Sequence, residues 1–492
     1  MQHKQIVKSS LWTIGGNGLQ QLLQFLIFIL LARYLDAESF GYVALAAVAI
    51  EVAGPIVRWG IPDVLLQRHF NSPSLIFHAF FLSLALGIIL TCLIIVGVAL
   101  YTSHNGPTIV ASLSLFLVPT IILQAIETVP DAIIRKNMAF KWLAVRSNAA
   151  ALLGGGAALV CIALDAGIYA LIVQRLVSAA AISTTVCFAA TRYCKFYKPR
   201  PLHKRLFKGI LSKGSYMLSS ALAPIVGPRI MDALIGGFLG VVALGQFKIA
   251  LRISELVTQL FVAPISNVAH AVFPKLVNDR PALEKVYRQM ILLCSLAVFP
   301  MYGGLALTAN EWVPLLLGAK WTDAVPIIQA IGWIGLATVV NYFQPPVLVA
   351  FKRNRLIFYQ GLARIAITTT LTAIGVQFGM TMVLMLFLVN AYGYMIYNWY
   401  ILQQVMGRSI RNSCMDIAPA MVATLGMCGV TPILADYLPL WPSPIVLAAK
   451  ITLGCLIYGG ILLLGFRRVA IGALRGAKAT FAPSTAVSTA VR

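Results

Sequence analysis

Charge is what this sequence lacks most. Only 11% of its 492 residues are Asp, Glu, Lys or Arg, against roughly 25% in an ordinary soluble domain. The shortage falls on the acids, with 15 Asp plus Glu beside 38 Lys plus Arg. Eight cysteines are scattered without a CxxC pair, and the six histidines show no ligand spacing. A disulfide framework and a zinc site are thereby excluded as organising features. No GxxxxGK[ST] stretch occurs, so ATP has no phosphate loop of that kind. No outer segment carries a paired-carboxylate or nucleophile constellation, and no catalytic residue is assigned. No polar stretch is long enough for a separate soluble domain; the longest is the basic segment 191–213. The start, Met1 to Lys8, is basic, but the apolar run behind it is too long for a signal peptide and has no small-residue cleavage site. It reads as an uncleaved first span.

What is abundant is apolar surface, at 60% of the chain. A membrane-spanning helix needs about 20 such residues, so the composition suits an all-α polytopic membrane protein. Runs of that length are read at 12–34, 40–66, 75–101, 108–127, 144–164, 168–190, 214–238, 243–273, 289–309, 326–350, 356–378, 381–403, 417–434 and 444–465. The expectation is therefore about 14 transmembrane helices. With the N-terminus in the cytoplasm, 29 Lys and Arg fall in cytoplasmic segments and only Lys320 and Arg33 on the opposite side. That asymmetry predicts cytoplasmic N- and C-termini in a bacterial inner membrane. It also places most of the +23 net charge at an anionic leaflet rather than on nucleic acid.

The two halves echo one another. Leu35-Asp-Ala-Glu-Ser-Phe-Gly41 resembles Leu239-Gly-Val-Val-Ala-Leu-Gly245 at an offset of 204, and Pro130 with Arg135-Lys136 resembles Pro346 with Lys352-Arg353. The reading is a six-helix bundle over 1–190, a basic cytoplasmic loop over 191–213, and a second six-helix bundle over 214–404. Two extra helices over 405–465 and a cytoplasmic tail over 466–492 complete the chain. Repeats of this sort are a transporter feature.

Charge inside a membrane is expensive and is a functional hypothesis by default. Lys248, Arg252, Glu255 and Gln259 fall at i, i+4, i+7 and i+11 of one span, with Ser266 and His270 extending the stripe and Pro264 expected to kink it. Arg229 and Asp232 are i, i+3 neighbours, and Glu51 and Arg58 share a face. Arg175 and Arg364 complete the buried cations; Gln20 and Gln24 line one side of the first span, either as substrate contacts or as interhelical glue. Lys450 is expected to snorkel outward. Six buried cations against Glu51, Asp232 and Glu255 leave a positive excess that an anionic substrate would satisfy, and guanidinium groups fit phosphate oxygens in bidentate fashion. The three carboxylates are candidates for ion pairing or for proton or sodium coupling. The aromatics Tyr392, Tyr394, Tyr397, Trp399 and Tyr400 read as an interfacial belt or a sugar-stacking platform.

Four stretches add a resemblance. They are Leu31-Ala-Arg-Tyr-Leu-Asp-Ala-Glu-Ser-Phe-Gly-Tyr-Val-Ala-Leu45; Pro130-Asp-Ala-Ile-Ile-Arg135 with Phe140; Met231-Asp-Ala-Leu-Ile-Gly-Gly-Phe-Leu-Gly240; and Leu315-Leu-Leu-Gly-Ala-Lys-Trp321 with Ala324, Pro326 and Gln329. In this order the chain resembles the Wzx-type flippases, the polysaccharide transporter branch of the multidrug/oligosaccharidyl-lipid/polysaccharide exporter superfamily. It is most similar to those of the colanic acid and succinoglycan kind. The resemblance implies two six-helix bundles around a central cavity plus two peripheral helices. It also implies a polyprenyl-diphosphate-linked oligosaccharide as the substrate, moved across the inner membrane for exopolysaccharide, lipopolysaccharide or a related surface polysaccharide. Polymerase and synthesis machinery are the implied partners; no cofactor is implied. Asp232 stands where the family commonly has an acid, but Ala233 follows it where an Arg is frequent, and Arg229 precedes it. The alternatives are a multidrug or toxin exporter of the same fold and a membrane scaffold for a synthesis complex.

Overall fold

The computed structural model describes residues 18, 20–66, 72–106, 108–193, 203–435 and 443–467. The basic N-terminus, Arg68, the middle of the 191–213 segment and the tail beyond 467 lie outside the described residues. Among those described there is helix and no strand. Eleven helical stretches are long and apolar enough to cross a membrane. The chain is thus a polytopic all-α membrane protein. Three further helices, Gln20–Tyr34, Lys204–Phe238 and Asn354–Gly375, lie where the other expected spans were read.

The chain forms two compact units, residues 1–248 with 361–380, and residues 249–360 with 381–492. The first contains α1 (Gln20–Tyr34), α2 (Ala37–Arg58), α3 (Ile61–Leu66), α4 (Pro73–Asn105), α5 (Ile109–Leu117), α6 (Pro119–Lys136), α7 (Phe140–Ala163), α8 (Tyr169–Ala190) and α9 (Lys204–Phe238). α10 (Val241–Val257) contributes to both units. The second continues with α11 (Ala263–Leu276), α12 (Arg280–Leu307), α13 (Ala309–Leu316), α14 (Val325–Asn341) and α15 (Gln344–Ala350). α16 (Asn354–Gly375) is again shared, and α17 (Met380–Met406), α18 (Ile410–Ala435) and α19 (Ser443–Gly465) complete the fold.

Local sequence explains the ends that matter for the site. Ser72 caps α4 by accepting the Leu75 N–H at 3.2 Å, with Pro73 in the first turn. Helix α2 stops at Trp59, which adopts the left-handed conformation at φ 39°, followed by Gly60 at φ 63°. This elbow is held by the Trp59 Nε1–H donating to the Leu211 carbonyl at 3.2 Å. A Cβ on Gly60 would stand 2.9 Å from the Gly214 carbonyl oxygen, so the elbow and α9 approach as only glycines allow. Helix α9 begins at Lys204, ahead of the expected 214, because the added turns are amphipathic. Leu206, Phe207, Ile210 and Leu211 pack inward while Lys204, Lys208 and Lys213 are exposed.

The first unit buries Ile27, Ile50, Leu113, Ile121 and Ile172 between α1, α2, α5, α6 and α8. The second is built on larger side chains, with Phe273, Tyr287, Phe299, Tyr302, Phe343 and Trp399 in one core. Outward faces are apolar too: Ile89 and Leu93 on α4 and Leu456 and Leu464 on α19 are exposed, as lipid contact requires.

Candidate functional site

Five charged side chains of the first unit join into one chain of alternating sign. Arg175 of α8 donates to Glu51 of α2 at 2.8 Å. Glu51 also pairs with Arg229 of α9 at 2.6 Å. The other terminal nitrogen of Arg229 reaches Asp232 at 2.6 Å, and Lys248 of α10 reaches the same carboxylate oxygen at 2.6 Å. The order Arg175–Glu51–Arg229–Asp232–Lys248 has cations at both ends and in the middle, so three positive groups face two negative ones. Pro228, immediately before Arg229, cannot donate to the carbonyl one turn earlier, and this is tolerated where neighbouring helices compensate.

Burial is graded along the chain. Asp232 has no solvent exposure, whereas Arg175 keeps 41% of its side chain exposed. Among the described residues, Asp232 Oδ1 and Arg229 Nε are buried with no hydrogen-bond partner. Such orphaned groups are rare in stable interiors and mark a network with bonding capacity to spare. Charges inside a membrane fold are expensive, which makes this network the candidate site.

The other sequence-identified residues distribute differently. Arg58 does not pair with Glu51; its guanidinium meets Glu127 of α6 at 3.0 Å. The Lys248 stripe is divided. Lys248 turns to Asp232, while Arg252 and the more exposed Glu255 form a loose pair at 3.5 Å in the second unit. Below them the helix becomes a π-helix over Thr258–Val262, which adds residues per turn and rotates the helix beyond it. Ser266 therefore turns inward to donate to the Tyr342 carbonyl at 3.2 Å, and His270 is exposed. Gln259 stands in the π segment, Gln20 and Gln24 lie half-buried on α1, and Arg364 is exposed on α16. Lys450 does not snorkel: it pairs with Glu311 at 2.5 Å, because an acid of α13 lies beside it. Of the aromatics, Trp399 is buried in the core of the second unit and Tyr392 donates to the Trp333 carbonyl at 3.2 Å, while Tyr397 and Tyr400 are exposed.

Glu51, Asp232 and Glu255 are not the only deep carboxylates. Glu127 and Asp131 of α6 and Asp416 of α18 are also buried. Arg135 and Arg146 both bind Asp131, the former at 2.7 Å. Asp416 binds Arg408, which is itself buried and also binds Glu284 at 2.6 Å. Their signal was present as Glu127, Asp131 and Arg135 at i, i+4 and i+8, one helical face. Ending the fourth span at 127 assigned that face to a loop.

Comparison with known proteins decides the family. A family model described as polysaccharide biosynthesis protein matches residues 30–326. The chain belongs to this family. Among its relatives, the succinoglycan biosynthesis transport protein ExoT of Rhizobium meliloti (strain 1021) is 24% identical, over 94% of this chain and 93% of that one. The lipopolysaccharide biosynthesis protein WzxC of Escherichia coli (strain K12) is 23% identical, over 82% of this chain and 81% of that one. Among solved structures, the lipid II flippase MurJ in an inward closed conformation superposes with a TM-score of 0.72 at 15% identity, covering 94% of this chain and all of that one. An inward-facing multidrug resistance transporter of the MATE family gives 0.60 at 16% identity, over 79% of this chain and 96% of that one. This family member therefore has the fold of membrane transporters, and it is a transport protein of polysaccharide biosynthesis rather than an enzyme.

Proposed function

We propose that the protein is a flippase for polyprenyl-diphosphate-linked oligosaccharide, working by alternating access, and that the five-charge chain of the first unit receives the diphosphate. The observation that carries this reading is the surplus cation of Arg175–Glu51–Arg229–Asp232–Lys248 within a membrane fold. Carboxylate and phosphate oxygens are alternative acceptors for the same guanidinium fork. An arriving diphosphate can take over the half-exposed Arg175 and the face of Arg229 that holds Glu51, exchanging ionic partners one for one. That exchange keeps both guanidinium groups paired but releases Glu51, whose unpaired charge is the main cost of opening the chain unless it takes up a proton or a cation. A hydrophobic cation gains nothing at a site whose ends are both cationic, which disfavours a multidrug exporter.

Glu51 and Asp232 are the carboxylates released or retained during that exchange. They are the candidates for proton or sodium coupling, because a group taking up a cation there would bring the loaded site towards neutrality. Direction must come from such a gradient or from consumption of the glycan, since a ligand shifts a conformational equilibrium only by its differential affinity for the two states. The loop-charge asymmetry supports cytoplasmic termini and loading from the inner leaflet. The repeat at an offset of 204 supports two related bundles over 1–190 and 214–404.

The test is mass spectrometry of lipid extracts from a deletion strain carrying either wild-type or Arg229→Gln protein. The expected result is accumulated polyprenyl-diphosphate oligosaccharide and lost surface polymer with the variant at normal protein level. Unchanged lipid intermediates and normal polymer would reject the reading.

A further inference from the structure

The same face of α2 carries a second charged cluster that the five-charge chain leaves unexplained. Arg58 lies seven residues beyond Glu51, which is about two turns and about 10 Å further along the helix. There it meets Glu127 at 3.0 Å, and one turn on along α6 Asp131 holds Arg135 at 2.7 Å and Arg146 of α7. Three cations again face two acids. Glu127 and Asp131 are buried, but Arg58 and Arg135 keep 49% and 42% of their side chains exposed. Arg58 is the last residue of α2 and Arg135 lies in the last turn of α6, so this cluster stands at the end of the unit where the loop charge places the cytoplasm.

Between the two clusters stands Gly54, over which Gln124 of α6 is laid; a Cβ there would come 2.6 Å from the Gln124 amide oxygen. Gln124 and Glu127 are neighbours on α6. The face thus runs from the Arg58–Glu127 pair, past an uncharged amide, to the Glu51–Arg175 pair.

We infer that the Arg58–Glu127–Asp131–Arg135–Arg146 cluster is a first station for the anionic headgroup of the lipid substrate, from which it passes along α2 to the deeper chain. This inference rests on the diphosphate reading of that chain. Two partly neutralised cationic stations about 10 Å apart are what transit requires. A single fully cationic site would trap a diphosphate, whereas successive sites bind it strongly enough to admit it and weakly enough to pass it on. Each station already holds carboxylates that compete for its guanidinium groups, which keeps either one from becoming a terminus. Arg58 uses one terminal nitrogen on Glu127, and its exposed remainder is the group that first meets phosphate oxygens.

The experiment uses the full chain in phosphatidylethanolamine nanodiscs and a diazirine-bearing polyprenyl diphosphate as probe, with labelled peptides mapped by mass spectrometry. In the wild type, label is expected in both the α6–α7 and the α8–α9 peptides. Arg229→Gln is expected to lose only the α8–α9 label. Arg58→Gln at subsaturating probe, flashed before binding reaches equilibrium, is expected to lower both by about tenfold, the loss of one charge-assisted hydrogen bond. Arg58→Gln/Glu127→Gln, which leaves no unpaired acid behind, is expected to do the same and guards against misfolding. Label confined to α8–α9 in the wild type, or unchanged there in both Arg58 variants, would make the cluster a structural ion network and overturn the relay while leaving the deep site standing. Loss of the α6–α7 label to excess phosphatidylglycerol would overturn it in favour of a general anionic-lipid site. Label at neither place would overturn the deep-site reading itself.

Discussion

Gly41 and Gly245 are packed reciprocally at the starts of α2 and α10. A Cβ on Gly41 would run into the carbonyl of Val241, and a Cβ on Gly245 into the carbonyl of Ala37. Both partners obey the sequence offset of 204 that relates the glycines, so each glycine meets the counterpart of its own helix start. The contact is isologous in the way a two-fold interface is, here within one chain. It also fixes two members of the charged chain, since α2 carries Glu51 and α10 carries Lys248.

Alanine at either glycine should therefore cost stability through overpacking against backbone, about 1–3 kcal/mol. Thermal melting of the detergent-solubilised protein checks this. Gly41→Ala and Gly245→Ala should each lower the midpoint, and alanine at Gly237, where a Cβ would meet nothing among the described residues, should not lower it.

Position within the charged chain should govern what a substitution does. Lys248→Gln removes an end and leaves Asp232 bound to Arg229; Arg175→Gln leaves Glu51 bound to the same arginine. Both should keep near-normal protein levels with export reduced about tenfold, the worth of a charge-assisted hydrogen bond. Arg229→Gln breaks two links at once and should reduce export further. Polymer output normalised to membrane protein level makes the comparison. Equal effects of all three on protein level, with none on normalised export, would assign the chain to stability alone.

The apolar spans were legible because each is a run of fixed length, and Glu51, Arg175, Arg229, Asp232 and Lys248 stood out because charge is rare in such runs. Partner choice was not legible. Helical spacing put Lys248 with Arg252 and Glu255, yet it joins Asp232 because α9 and α10 are adjacent at that height. Arg58 does share a face of α2 with Glu51, but two turns separate them and Arg58 meets Glu127 of α6 instead. Glu127 and Asp131 were missed because the apolar run ends where the helix does not; α6 continues to Lys136. The π segment at Thr258–Val262 left no trace in periodicity. It is supported from outside the helix, where the Tyr302 hydroxyl donates to the Ser254 carbonyl at 3.0 Å and lies 2.9 Å from the Thr258 hydroxyl.

Orientation has its own test. Lys320 stands in the short 3-10 turn between α13 and α14, and Arg353 in the turn between α15 and α16. The loop-charge asymmetry expects them on opposite sides of the membrane. In a cysteine-free background, Lys320→Cys should react with an impermeant maleimide in intact spheroplasts, and Arg353→Cys only after lysis. The reverse pattern would invert the topology and, with it, the side from which the proposed path along α2 begins.

Arg408 is the expected stability centre of the second unit. Its guanidinium is buried, binds Glu284 and Asp416 together, and lies 5.7 Å from the Tyr287 ring. Arg288 reaches Asp416 at 3.2 Å but is largely exposed. Among the described residues, Arg408→Met would leave Asp416 buried with only that exposed partner. Removing one partner of a buried pair costs about 3–5 kcal/mol, so this variant should be depleted from the membrane and melt well below wild type. Arg408→Met/Asp416→Leu removes both buried charges and fills the space with apolar atoms, which is often neutral. It should recover most of the level and the melting midpoint. Because neither residue belongs to the first unit, export per molecule should be unchanged in the recovered double variant. A double variant that is abundant but inactive would give this ion pair a part in transport.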